Sequence, residues 1–163
     1  MIVESQEPDR LLNSQLSTPN SQPTDHPALG IDHGDARIGI AATDDFGILA
    51  HPVETIDRAK TEPIERIVQL VQLRKIRTLV VGLPIRMDGT EGTSAIKVRK
   101  FTKLLRARLP EMKVVFVDET LTTATASDKL REAGKKAKNQ KSIIDQAAAV
   151  EILNLWMGEN DGF

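Results

Sequence analysis

From residue 28 onward the chain alternates short apolar runs with turn-forming clusters, and the period of each run predicts its element. Ala28 to His33 is an apolar run ending in Asp32-His33-Gly34-Asp35, the pattern of a strand entering a tight turn. Arg37 to Thr43 and Ile48 to Ile56 are further β-favouring runs, separated by Asp44-Asp45-Phe46-Gly47. Turns this short make neighbouring strands antiparallel, because a parallel return needs a long crossover. Pro63 suits the first turn of a helix reaching about Lys75, with Ile64, Ile67, Val68 and Val71 on one stripe. Thr78 to Leu83 reads as a buried strand stopped by Pro84. A Gly-rich loop, Met87 to Gly92, then leads into a helix over Ser94 to Leu109. Lys113 to Val117 is another buried strand. Leu121 to Ala133 and Ser142 to Met157 read as helices, each closed by a glycine. The order βββαβαβαα predicts an α/β fold: a mixed five-stranded sheet, three strands antiparallel and two parallel, flanked by helices.

Composition sharpens the boundaries. Residues 1–27 are rich in Ser, Gln, Asn, Pro and Thr and hold few large apolar groups, so they read as a disordered acidic tail. A domain over 28–158 follows, with a short C-terminal tail at 159–163. The 163 residues carry a formal charge of -1. The tail accounts for -3 of this, leaving a mildly basic domain of +2. There is no Cys, which excludes disulfides, thiolate metal sites and Cys nucleophiles. Four Phe, one Trp and no Tyr leave little for stacking on bases. No apolar run approaches the roughly 20 residues of a membrane span, and no secretory signal is visible. The expected setting is cytoplasmic, away from membranes.

Three carboxylates occupy positions where charge is costly. Asp32 ends the first apolar strand, and Glu119 follows the strand Val114-Val115-Phe116-Val117. Asp145 shares a helical stripe with Ala148, Ala149, Ile152 and Trp156. Each has a plainer reading: Asp32 as a turn opener, Glu119 as a helix N-terminal acid, Asp145 as half of a structural ion pair. Asp118 rivals Glu119, since neighbours on a strand face opposite ways. Taken together, three acids on apolar elements suit Mg²⁺ or Mn²⁺, hard cations that prefer oxygen ligands. Such a site serves phosphodiester hydrolysis. The basic residues cluster as well. Lys97, Arg99, Lys100, Lys103, Arg106 and Arg108 fall in one helical stretch, while Lys129, Arg131, Lys135, Lys136, Lys138 and Lys141 surround Gly134. Either window alone reads as a solvated surface; together they suggest a phosphate-backbone footprint that recognises shape more than base identity. Thr122 and Thr123 either cap the following helix or touch phosphate. His33 reads as a turn residue, and His51 has no visible partners.

Four ordered segments carry a resemblance: ALGIDHGDARIGIAATDDFGILAHPVETI from Ala28, VVGLPIRMDGTEGTSAIKVRKF from Val80, VDETLTT from Val117 and IDQAAAVEIL from Ile144. Together they resemble the YqgF family, whose members are described as pre-16S rRNA nucleases and, earlier, as Holliday junction resolvases. The resemblance implies a ribonuclease H-like fold and a carboxylate site for a divalent metal, with Asp32, Glu119 and Asp145 as catalytic and metal-holding residues. It also implies trimming of the 5′ end of the small-subunit rRNA precursor, with that precursor as partner. Two departures stand out. Thr120 replaces an Arg frequent after the family's Glu, and Arg86 stands where Asn is frequent, so Arg86 could supply a phosphate contact. The expected nucleic-acid contacts are Arg37, Arg86, Lys97, Lys100, Thr122, Thr123, Lys135, Lys136, Lys138 and Lys141.

Three other functions remain compatible with the residues. A resolvase of four-way DNA would need a homodimer, whereas an RNA nuclease could act as a monomer. A nucleotide-binding module built on Asp32-x-Gly34, as in actin-like ATPases, would need a second lobe that one domain of this length lacks. A non-catalytic RNA-binding factor would tolerate loss of all three acids.

Overall fold

The computed structural model describes residues 25–119 and 138–160. The predicted helix over 121–133, together with Thr122, Thr123, Lys135 and Lys136, lies outside them, as does the side chain of Lys138 and the tail up to residue 24. Five strands form one sheet: β1 (Ala28–His33), β2 (Arg37–Thr43), β3 (Ala50–Asp57), β4 (Thr78–Leu83) and β5 (Lys113–Asp118). The described helices are α1 (Pro63–Arg74), α2 (Thr93–Arg108) and α3 (Lys138–Asn160). The sheet order is β3-β2-β1-β4-β5. β1–β2 and β2–β3 pair antiparallel, β1–β4 and β4–β5 parallel. This is the mixed five-stranded sheet, part antiparallel and part parallel, expected from the sequence.

Element ends follow local chemistry. Glu62 caps α1 by accepting the N–H groups of Ile64 and Glu65, Pro63 fills the first turn, and Lys75 closes the helix at φ 56°. β3 starts two residues later than Ile48. Asp44 Oδ1 accepts the N–H of Ile48 and, at 3.2 Å, that of Leu49, holding both in the turn. His33 closes β1 rather than lying in the turn. It packs on Phe101 and meets Arg58 Nη1 at 2.8 Å. His51 also has a partner, Arg74 Nη1 at 3.4 Å. The packed region begins before Ala28: His26 is buried edge-on to Trp156, and Asp25 pairs with Lys113. α3 extends beyond Ser142–Met157 at both ends.

The two faces of the sheet differ in kind. Toward α1 and α2 the strands present Leu29 and Ile31, Ile38, Ile40 and Ala42, and Leu79, Val81 and Leu83. The alternate residues face α3 and are smaller or polar: Ala28, Gly30 and Asp32 on β1, Arg37, Gly39 and Ala41 on β2, Val80 and Gly82 on β4. Among the described residues, a single helix covers this thin face with Ala149, Ile152, Leu153 and Trp156. Its approach is close enough that a Cβ on Gly30 would lie 2.8 Å from the Ala149 carbonyl oxygen. On Gly39 a Cβ would overlap the Asp145 carbonyl outright. Thr55 Oγ1 fixes the start of the helix by donating to the Ser142 carbonyl at 3.0 Å and accepting from Gln146 Nε2.

Gly39→Ala is therefore expected to push α3 away and cost about 3 kcal/mol in urea unfolding, since the obstacle is backbone. Gly158→Ala lies in open space on the same helix. That change should stabilise by about 0.5–1 kcal/mol through helix propensity alone.

Candidate active site

The three candidate acids and Arg37 lie on the α3 face, toward the end of the sheet where β1, β4 and β5 terminate. Asp32 follows Ile31, which pairs with Val81, and Val81 pairs with Phe116. Along β5 the alternation puts Val117 and Glu119 on the buried side and leaves Asp118 exposed, so Glu119, not Asp118, enters the site. The Glu119 N–H donates to the Leu83 carbonyl at 3.2 Å, which continues the β4–β5 pairing past the last strand residue. Glu119 is only 5% exposed. Gly82 makes the room: a Cβ there would lie 2.8 Å from Glu119 Oε2 and 2.5 Å from Ile152 Cδ1.

Asp32 and Glu119 are hydrogen-bonded to each other. Two carboxylates meet that way only when one carries a proton or a cation replaces it. Burial holds the Asp32 carboxyl well above the usual carboxylate range, and the charge and hydrogen bond of Glu119, then the charge of Asp145, push it the same way. Asp145 lies on the predicted stripe, with Ala148, Ala149, Ile152 and Trp156 all buried. Its carboxyl is raised by burial, while Arg37 pulls in the opposite direction. Arg37 Nε donates to Asp145 Oδ2 at 2.8 Å, so this acid has a counter-ion of its own. The sequence-predicted trio thus arrives as a contacting pair and a neighbour held on a guanidinium. Among the described residues, no three His, Cys, Asp or Glu side chains are placed to hold a metal ion. The donor chemistry of the pair itself suits one: all-oxygen, anionic and sheltered from water. Beside the pair, burial and Arg58 lower the His33 pKa to about 4, so its ring is neutral near pH 7.

The basic footprint is narrower than the sequence count suggests. Three members of the α2 cluster already have acids: Lys97 Nζ on Asp35 at 3.1 Å, Arg99 on Glu91, and Arg108 on Glu65. Lys100, Lys103, Arg106 and Lys141 are exposed. The pairing of Lys97 with Asp35 places the first half of α2 beside the β1–β2 turn, next to Asp32. Arg86 is exposed in the β4–α2 loop, its guanidinium lying where a Cβ on Gly92 would be, 2.7 Å from Nε. Sequence reasoning missed the glycines Gly39 and Gly82 that make space for the acids. The signal was present in the period-2 pattern, where each falls on the face opposite the large apolar residues.

A carboxyl raised in the folded state stabilises the fold below its unfolded pKa, and that contribution is lost as pH rises through the folded value. Asp32 is therefore a destabilising charge in the metal-free protein at neutral pH and above. Asp32→Asn in EDTA should raise the thermal midpoint by roughly 2–4 °C for each 1 kcal/mol relieved. The gain should be larger at pH 8 than at pH 5, read by thermal unfolding at the two values.

Comparison with known proteins agrees with this picture. Residues 26–159 match the family described as "RuvX: Holliday junction resolvase". A Streptomyces coelicolor protein named "Putative pre-16S rRNA nuclease" is 46% identical over 145 residues, covering 85% of this chain and 87% of its own. A Nocardia farcinica protein of the same name is 40% identical over 153 residues, covering 90% and 85%. Among solved structures, Thermus thermophilus RuvC in complex with a Holliday junction substrate aligns with 81% of this chain and 94% of its own, at 12% identity and a TM-score of 0.49. With the family matched across both acid-bearing ends of the sheet and the helix that covers them, this chain belongs to the RuvX family.

Proposed function

We propose that the chain is a divalent-cation-dependent endonuclease that matures the 5′ end of pre-16S rRNA. The observation that carries this reading is the buried, contacting pair Asp32 and Glu119 at the ends of two strands, with Asp145 alongside. The names of the relatives supply the substrate, and the basic residues around the site suit a polyanion. Asp32 and Glu119 would hold Mg²⁺ or Mn²⁺ between them, with Asp145 as a third ligand. When bound, such a cation activates water and offsets charge on the leaving oxygen of a phosphodiester. The rest falls to the chain's own side chains. The proton shared by Asp32 and Glu119 would pass to solvent when a cation is held, leaving both carboxylates ionised as its ligands. Val80, Ala149 and Ile152 exclude water from beneath, which strengthens every charge interaction above them. Arg37, Arg86, Lys97 and Lys100 would hold the phosphates flanking the cut, with Lys141, Lys135, Lys136, Lys138, Thr122 and Thr123 extending that track.

The family description favours one second reading, cleavage of four-way DNA, which requires two sites and therefore a dimer. Labelled pre-16S rRNA and junction DNA, cut side by side, separate the two.

Asp32→Asn and Glu119→Gln should each lower rRNA cleavage at least ~100-fold. EDTA should abolish cleavage and Mn²⁺ restore it. Wild-type rates in either variant, with RNA binding intact, would mark a binding factor rather than a nuclease. If Arg86, Lys97 and Lys100 each neutralise one phosphate of a single strand, binding should weaken roughly 20-fold between 50 and 200 mM salt.

A further inference from the structure

Asp145 is committed to a protein cation, Arg37. Its backbone is fixed. The Asp145 carbonyl lies directly over Gly39, where a Cβ has no room, and Gly39 is the register partner of Asp32. Partner residues of an antiparallel pair stand about 5 Å apart at Cα. The Asp145 Cα therefore sits over the strand next to Asp32, and the choice of neighbour is left to its own side-chain torsions. One orientation meets Arg37 at 2.8 Å. The other faces the Asp32–Glu119 pair, and the charge of Asp145 already acts on Asp32. Arg37 lies two residues before Gly39 on the same face of β2, at the mouth of the site. Its side chain is 34% exposed against 16% for Asp145, so a phosphate arriving from solvent reaches the guanidinium before the carboxylate.

We infer that Arg37 is an exchangeable counter-ion: it holds Asp145 away from Asp32 and Glu119 until a backbone phosphate takes the guanidinium, releasing Asp145 to complete the metal site. This rests on the nuclease reading above and adds an order of events. Metal and nucleic acid bind with positive coupling, and by linkage each tightens the other by the same factor. Arg37 is thus a positioning residue for Asp145 as well as a phosphate contact. An idle enzyme holds metal weakly, and the third ligand is delivered by substrate.

The test is calorimetric titration of Mn²⁺ into the EDTA-stripped full chain, with folding checked by circular dichroism. Arg37→Gln should bind Mn²⁺ about tenfold more tightly than wild type, within the usual span of coupling between sites. Arg37→Lys, which keeps the charge on a looser contact, should shift the same way by less. Asp145→Asn should change wild-type affinity less than about twofold, yet remove the whole gain when combined with Arg37→Gln. In a second arm, Mn²⁺ should tighten binding of a fluorescein-labelled 2′-O-methyl oligoribonucleotide to wild type more than to Arg37→Gln, read by anisotropy. Unchanged or weaker Mn²⁺ binding in Arg37→Gln and Arg37→Lys overturns the inference. So does an equal loss from Asp145→Asn in both backgrounds. The nuclease reading fails separately, and takes the inference with it, if Asp32→Asn binds Mn²⁺ as tightly as wild type.

Discussion

The close approach of α3 to the small-residue face of the sheet is the constraint on which the site depends. Gly30, Gly39 and Gly82 remove the side chains that would hold the helix off, and the helix answers with backbone carbonyls and with Leu153 and Ile152 at contact distance. Two acids remote in sequence, Asp32 and Glu119, then meet, and a third, Asp145, stands nearby on Arg37. Asp32 and Glu119 come from strand ends, where the sheet stops supplying large side chains. Asp145 comes from the helix, at the point where its backbone crosses β2. A thicker core on this side, like the Leu, Ile and Val layer under α1 and α2, would separate the helix acid from the strand acids. The thin face costs hydrophobic burial there, and α3 offsets this toward its C-terminal half with Ile152, Leu153, Trp156 and Met157.

How much of this was legible in the sequence depends on the range of the interaction. The strands, their antiparallel and parallel pairing, and α1 and α2 were readable because apolar periodicity and signals such as Pro63 at a first turn are local. The burial of Glu119 over Asp118 followed from alternation once Val117 was placed inward. The hydrogen bond between Asp32 and Glu119 and the ion pair between Arg37 and Asp145 join residues 87 and 108 positions apart and leave no local trace. Ile48 and Leu49 read as strand because they are β-favouring. The Asp44 carboxylate overrode that preference by capturing both of their N–H groups. The α2 cations were counted as one footprint because Asp35, Glu91 and Glu65, which pair with three of them, lie on other elements.

Electrostatics along α3 set the environment in which the acid group sits. Toward Trp156 the interface is apolar and closed, so dielectric screening is weak and any net charge there would be severe. Toward Ser142 it becomes polar, with Thr55, Gln146 and Arg37 carrying the hydrogen bonds. The carboxylates sit at the transition. Their oxygens are sheltered enough to repel strongly, yet stand near enough to solvent for cations to be exchanged.

Charge counting shows what may exchange for what. Three carboxylates carry -3 when ionised. A proton shared by Asp32 and Glu119, together with the Arg37 guanidinium on Asp145, would reduce this to -1. A divalent cation among three ionised carboxylates, with Arg37 turned to a phosphate, leaves the same -1. The two states are thus equal in local charge and differ only in which positive groups supply it, so neither suffers the full repulsion of three bare acids. A fixed ligand trio lacks that alternative: empty, it would bury three like charges, a far larger cost than one proton and one guanidinium must meet. On the metal-site reading proposed above, the ion pair on Asp145 would spare the fold that cost while no cation is bound.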